Sequence, residues 1–118
     1  MEEIFCFKEK CMLYRIRVGD ILLAENKTLN QTNVYVIVNL GMDEGFGLMC
    51  LSCGSIVGIY GEDKEKLMED INGFLNVKYI VPKEEICEFF NGKYKLKYKV
   101  KAHDIVNKDD EFGLEIER

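Results

Sequence analysis

The stretch from Val34 to Gly61, VYVIVNLGMDEGFGLMCLSCGSIVGIYG, constrains the fold more than any other part of the chain. It holds the densest run of apolar and β-branched residues, the two closest cysteines and six of the ten glycines. β-Branched side chains suit the pleated surface of a strand, and the glycines between them supply the positive φ that short turns need. The pattern predicts three strands in a meander, Val34–Asn39, Phe46–Leu51 and Ser55–Tyr60, with turns at Leu40–Gly45 and Ser52-Cys53-Gly54. Apolar residues point both ways along these strands, so a central position with little solvent on either face is expected.

Upstream, Glu2–Phe7 is expected as an edge strand turned at Lys8-Glu9-Lys10. Met12–Val18 then alternates as a half-buried strand, with Met12, Tyr14, Ile16 and Val18 opposite Leu13, Arg15 and Arg17. Val18-Gly19-Asp20-Ile21 turns the chain into a short strand, Ile21–Ala24, and Glu25–Thr32 is expected as a polar loop. A Val-Gly-Asp-Ile turn followed by a tight meander resembles small SH3-like barrels. The resemblance implies a barrel-like unit over residues 12–60.

Downstream, Glu62–Asn72 has helical periodicity, with Leu67, Met68 and Ile71 on one side and Phe74 and Leu75 completing the apolar surface. Glu62 and Asp63 suit its N-terminus, Glu62 and Lys66 an i,i+4 pair, and Gly73 its C′ position. Val77–Val81 is a strand closed by the single proline, Pro82. Proline followed by Lys-Glu-Glu starts helices, whereas Asn91-Gly92 signals a hairpin. The hairpin reading predicts a turn at Pro82–Glu84, a strand at Glu85–Phe90 and a return strand at Lys93–Lys101. Asn107–Glu111 is expected as a loop and Phe112–Glu117 as a last strand. The expected fold is therefore α+β and mostly β. It comprises a small SH3-like barrel or meander, one helix over 62–73, and a C-terminal antiparallel meander over 77–117, in a single domain.

Composition narrows the function classes. With 47% hydrophobic and 31% charged residues the chain suits a globular protein, and its net charge of −5 argues against non-specific binding of nucleic acid or membranes by the chain as a whole. The acidic start, MEEIFCFKEK, does not have the pattern of an export signal, and five cysteines without such a signal read as reduced thiols. The expected compartment is the cytoplasm. The bias towards Lys, Ile, Asn, Tyr and Phe, against two Ala and three Arg, points to AT-rich coding DNA.

Three groups of residues could carry chemistry. Cys50-Leu51-Ser52-Cys53-Gly54 has the spacing of a zinc knuckle, with Cys6 and Cys11 as a second pair and Cys87 or His103 in reserve. Against this, the second pair is spaced by four residues, and buried cysteine behaves as a small hydrophobe, so no metal is expected. His103-Asp104 contains the only histidine, and no nucleophile is spaced to use it; no cofactor or catalytic role is expected. The lysines Lys93, Lys95, Lys97, Lys99 and Lys101 form the clearest electrostatic feature, on one side of a strand with Tyr94, Leu96, Tyr98 and Val100 on the other.

Five like charges on one face repel unless something anionic lies opposite. The bland explanation is a solvated face that also discourages edge-to-edge aggregation, partly neutralised by Glu115 and Glu117. The functional one is a contact surface for an acidic protein or, second, for nucleic acid. Tyrosines on the far face could not stack on bases beside the lysines, which favours protein. The expected function is a non-enzymatic protein-binding module. Phage and mobile-element accessory proteins that inhibit host defence, of the anti-CRISPR type, are the class in view, acting in the host cytoplasm. The alternatives are a nucleic-acid-binding module using residues 93–101 and a zinc-stabilised domain using Cys50 and Cys53.

Overall fold

The computed structural model describes residues 11–101, 106–108 and 111–117. The elements run β1 (Cys11–Arg15), β2 (Ile21–Asn26), β3 (Gln31–Asn39), β4 (Phe46–Cys50), β5 (Ser55–Gly61), α1 (Lys64–Phe74), β6 (Leu75–Val81), a 3-10 turn (Lys83–Glu85), α2 (Ile86–Phe90), β7 (Tyr98–Lys99), β8 (Val106–Lys108) and β9 (Glu111–Glu117). This is a mostly-β α+β fold. Six antiparallel strands form the main sheet in the order β5-β4-β3-β2-β6-β7, and a smaller sheet has the order β1-β9-β8. One bridge, Val100 to Ile116, and a bond from the Lys101 N–H to the Glu115 carbonyl (3.0 Å) join the two.

Neither sheet closes into a barrel. The expected barrel fails because its first strand is taken elsewhere. β1 pairs with β9, register Tyr14 to Leu114, and the free edge of β2 is taken by β6, register Leu22 to Ile80. Both choices bury apolar side chains: Leu114, Ile116, Leu22 and Ile80 are all at most 2% exposed. These pairings are remote in sequence, so local pattern carried no trace of them.

The three-strand meander is present as β3-β4-β5, but it is not the centre of the sheet. β5 is an edge, with Ile56, Val57 and Ile59 exposed. β3 alternates between buried Asn33, Tyr35 and Ile37 and half-buried Val34, Val36 and Val38. The polar loop shrinks to four residues, 27–30. The Asn26 side chain accepts the backbone N–H groups of Thr28 and Leu29, turning β2 directly into β3.

Helix α1 starts two residues later than its periodicity suggested. The Asp63 side chain accepts the Lys66 N–H at 3.0 Å and so caps the helix; Glu62 stays outside, and Lys66 pairs with Asp70 instead. Gly73 is not the C′ residue, because the helix runs through it to Phe74 and passes into β6 with Leu75 in extended conformation. Leu67, Met68 and Ile71 are buried in one cluster with Leu22, Ile37, Leu48 and Ile80. Burial of a leucine or isoleucine side chain contributes about 1.5–3 kcal/mol. Tyr60 on β5 donates to Asp70 of the helix at 2.9 Å, and burial first, then that carboxylate, push its pKa up.

Residues 85–90 are helical, not a strand. The 3-10 turn follows Pro82 and runs into α2. Asn91-Gly92 ends that helix rather than turning a hairpin. The Gly92 N–H reaches the Phe89 carbonyl and the Lys93 N–H the Glu88 carbonyl, with Gly92 at φ 76°. That is the Schellman arrangement, for which glycine is the favoured residue. Asn107 and Lys108 lie in β8, paired with β9, where a loop was expected. The strand expected at Glu2–Phe7, the turn Lys8–Lys10 and the pair His103-Asp104 lie outside the described residues.

Candidate functional site: the lysine segment and its support

The lysine segment hangs between α2 and the sheet. Only Tyr98 and Lys99 pair with β6, opposite Ile80 and Tyr79, so residues 93–97 are not a ladder strand. The alternation in burial nonetheless persists. Tyr94 and Tyr98 are half-buried and Val100 is buried, while Lys93, Lys95, Lys97 and Lys99 are exposed. Leu96 departs from it at 42% exposure, and Phe90, just before the turn, is 63% exposed.

The five lysines do not share one environment. Lys97 Nζ lies 2.9 Å from Glu85 Oε1 and 5.7 Å from the ring centroids of both Tyr94 and Tyr98. The Glu85 carboxylate holds its ammonium above the usual lysine range. Lys101 is half-buried where the two sheets meet, with Glu115 beside it along the backbone. Lys93, Lys95 and Lys99 remain, exposed and without an ion pair among the described residues. Tyr94 has its hydroxyl enclosed near Glu85 without a well-aligned hydrogen bond. Burial first and Glu85 second raise its pKa.

Tyr14, whose ring centroid lies 6.1 Å from that of Tyr98, belongs to a polar cluster that the sequence did not reveal. Asp20 is fully buried, and its carboxylate accepts from the Arg17 N–H (2.9 Å), the Arg17 guanidinium (3.0 Å), the Tyr14 hydroxyl (3.2 Å) and the Lys83 N–H (2.9 Å). The same guanidinium meets both oxygens of Glu84 at 2.7 and 2.8 Å. A buried carboxylate needs such a set of donors to offset lost hydration. The Arg17 contact takes the Glu84 carboxyl down to about 2, while burial and then Asp20 push Tyr14 up to about 12. Adjacent acids of the 3-10 turn thus reach in different directions, Glu84 to the β1–β2 turn and Glu85 to Lys97. The lysine segment is held at both its α2 end and its β7 end. The sequence signal for Asp20 was the Val-Gly-Asp-Ile turn; that for Glu84 and Glu85 was the helix-start pattern after Pro82.

Among the described cysteines, Cys50 and Cys53 stay close while Cys11 and Cys87 belong to other elements. Cys50 is buried in β4, and its Sγ accepts the Cys53 N–H at 3.3 Å; Cys53 and Cys87 are exposed. The Cys50 contact raises the Cys53 thiol pKa. Cys11 opens β1, and Cys6 lies outside the described residues. Among the described residues no three His, Cys, Asp or Glu side chains converge on a metal position.

A cleft of about 580 Å³ has Ile16, Val18, Phe46, Met68 and Phe112 in its lining, together with the charged Arg15, Arg17 and Lys64. Arg17 is committed to Asp20 and Glu84, and the Lys64 ammonium sits 5.8 Å from the Phe46 ring centroid. No helix among the described residues is long and apolar enough to cross a membrane. Protein-family models, curated protein sequences and solved structures were each compared with the chain, and none matches.

Proposed function

We propose that this chain is a non-enzymatic protein-binding module that presents Lys93, Lys95 and Lys99 to an acidic surface of its partner. One observation carries the proposal: three exposed lysines, without an ion pair among the described residues, lie in the same stretch of chain as two exposed large apolar side chains, Phe90 and Leu96. Phe90 and Leu96 add exposed apolar surface to the same stretch of chain. Protein interfaces combine such apolar contacts with a charged rim. The support beneath is fixed, since the Schellman turn holds Lys93 and the β6 pairing holds Lys99. Less ordering is then lost on binding than for a floppy basic loop.

Stacking on bases is poorly served here. Tyr94 and Tyr98 are half-buried, and Lys97 lies over both rings. Small size and AT-rich coding support a phage or mobile-element accessory role, with a host-defence protein of the anti-CRISPR-target type as the partner.

The test compares the tagged native chain with Lys93→Glu/Lys95→Glu/Lys99→Glu as baits in one bacterial lysate. Lys97 is left intact, because reversal would set a carboxylate against Glu85. The proposal expects a protein retained by the native chain and lost by the triple variant, with the variant's melting temperature unchanged. Equal retention by both baits rules out the lysine surface. Retention only of oligonucleotides, lost steeply with salt, would favour the nucleic-acid reading instead.

A further inference from the structure

The turn between β4 and β5 brings two cysteines together. Cys50 ends β4 and is buried, and Cys53, three residues on, is exposed. The Cys53 N–H donates to Cys50 Sγ at 3.3 Å, so the buried side chain is folded towards the exposed one. The backbone between them makes one helix-like turn, closed by the Gly54 N–H on the Cys50 carbonyl at 2.8 Å. Residues three apart on such a turn carry Cβ atoms about 5–6 Å apart, and a disulfide requires about 3.5–4.5 Å. A shift of about 1–2 Å therefore closes the pair.

The turn has room for that shift. Leu51 and Ser52 are tied to Val34 of β3, the Leu51 N–H donating to its carbonyl at 2.7 Å and its own N–H to Ser52 Oγ at 3.0 Å. Cys53 and Gly54 are exposed, and a Cβ placed on Gly54 would meet nothing within 4 Å. The two sulfurs are also unequal. An oxidant from solvent reaches Cys53, because Cys50 is 2% exposed. Cys50 then lies against whatever Cys53 carries.

We propose that Cys50 and Cys53 are a redox-active dithiol: the exposed Cys53 reacts with a small-molecule disulfide of the glutathione type, and Cys50 resolves the adduct into an intrachain disulfide. The Cys53 sulfur, its proton lost to solvent, attacks one sulfur of the small disulfide and expels a thiolate. The Cys50 sulfur, likewise deprotonated, attacks Cys53 Sγ and expels the second thiolate. Two protein thiols thus give up two electrons and two protons, and the small disulfide becomes two thiols. A hydrogen bond with Cys50, and then desolvation, raise the Cys53 thiol pKa, which makes the first attack slow at neutral pH. The new bond spans only the turn, so β4 and β5 keep their pairing, and the exposed thiol is withdrawn from cross-linking between chains. The proposal stands independently of the lysine reading.

Trypsin cuts after lysine and arginine, and residues 28–64 then form one peptide that holds Cys50 and Cys53 and no other cysteine. The full chain is equilibrated with reduced and oxidised glutathione at mildly alkaline pH, alkylated, digested and weighed by mass spectrometry. This peptide should lose two hydrogens and escape alkylation, at a glutathione ratio at least tenfold more reducing than the same chain needs in urea. Folded Cys50→Ala, checked by a cooperative melt, should stop at a glutathione adduct on Cys53. A native peptide that keeps two alkylatable thiols, that stops at the adduct, or that closes no more readily in the folded chain than in urea overturns the proposal. Pairs of native chains joined through Cys53 overturn it as well. If Cys50→Ala does not fold, Cys53→Ser takes its place. Its Cys50 should take no glutathione while the chain is folded, and an adduct there would overturn the proposed order of attack.

Discussion

At the scale of single residues, Asp20 is the shared acceptor at the centre of the polar cluster that ties the β1–β2 turn to the 3-10 turn. It is the fully buried acid among the described residues, and it binds Tyr14, Arg17 and the Lys83 backbone at once. Asp20→Ala should cost about 1–3 kcal/mol, because it removes the acceptor shared by the Tyr14 hydroxyl, Arg17 and the Lys83 N–H. Denaturant midpoints at unchanged slope measure this; a loss below about 0.5 kcal/mol would place Asp20 outside the framework. Glu84 makes a pH-dependent contribution whose sign follows from its depressed pKa. The folded carboxyl titrates at about 2 against an ordinary 4.5, so its stabilisation is present above pH 4.5 and is lost as pH falls through about 2. The melting-temperature gap between the native chain and Glu84→Gln should therefore be constant above pH 5 and vanish near pH 2. A gap unchanged across that range would mean that Arg17 and Glu84 do not pair in solution.

At the scale of elements, local pattern was legible where local physics decides. Helix α1 shows its buried stripe, Leu67, Met68 and Ile71, at helical spacing, and the β3-β4-β5 meander follows from β-branched runs between glycines. Leu67→Ala should cost about 2–5 kcal/mol, since Leu67 is 2% exposed within the main cluster. A cost near zero by the same denaturation measurement would leave the helix unpacked from the sheet. One misread element is α2. Asn-Gly serves a hairpin and a helix C-terminus equally well, because both need a residue at positive φ. What separates them is the run before it, Pro82-Lys83-Glu84-Glu85, whose two acids each find a cation across the fold. Neither partner is near in sequence. The lysines themselves were plain, but not that Glu85 takes Lys97 or that Phe90 and Leu96 stand exposed.

At the scale of the whole molecule, the barrel gives way to an open sheet whose two edges differ in character. One edge, β5, is apolar and uncharged with acids at its end; the other, β7, belongs to the lysine segment. On a chain of net charge −5, a local group of exposed lysines is a directional feature, and under the proposed function it would act on the rate of encounter more than on the lifetime of a complex. Steering of this kind weakens as salt screens it. The measurement that bears most directly on the proposed function is the association rate constant for a purified partner at low and at physiological salt. It is taken with the native chain and with Lys93→Glu/Lys95→Glu/Lys99→Glu. The native rate should fall with salt, and the triple variant should associate at least tenfold more slowly at low salt, about 1.4 kcal/mol in the encounter barrier. Equal rates for the two proteins at low salt would contradict the account.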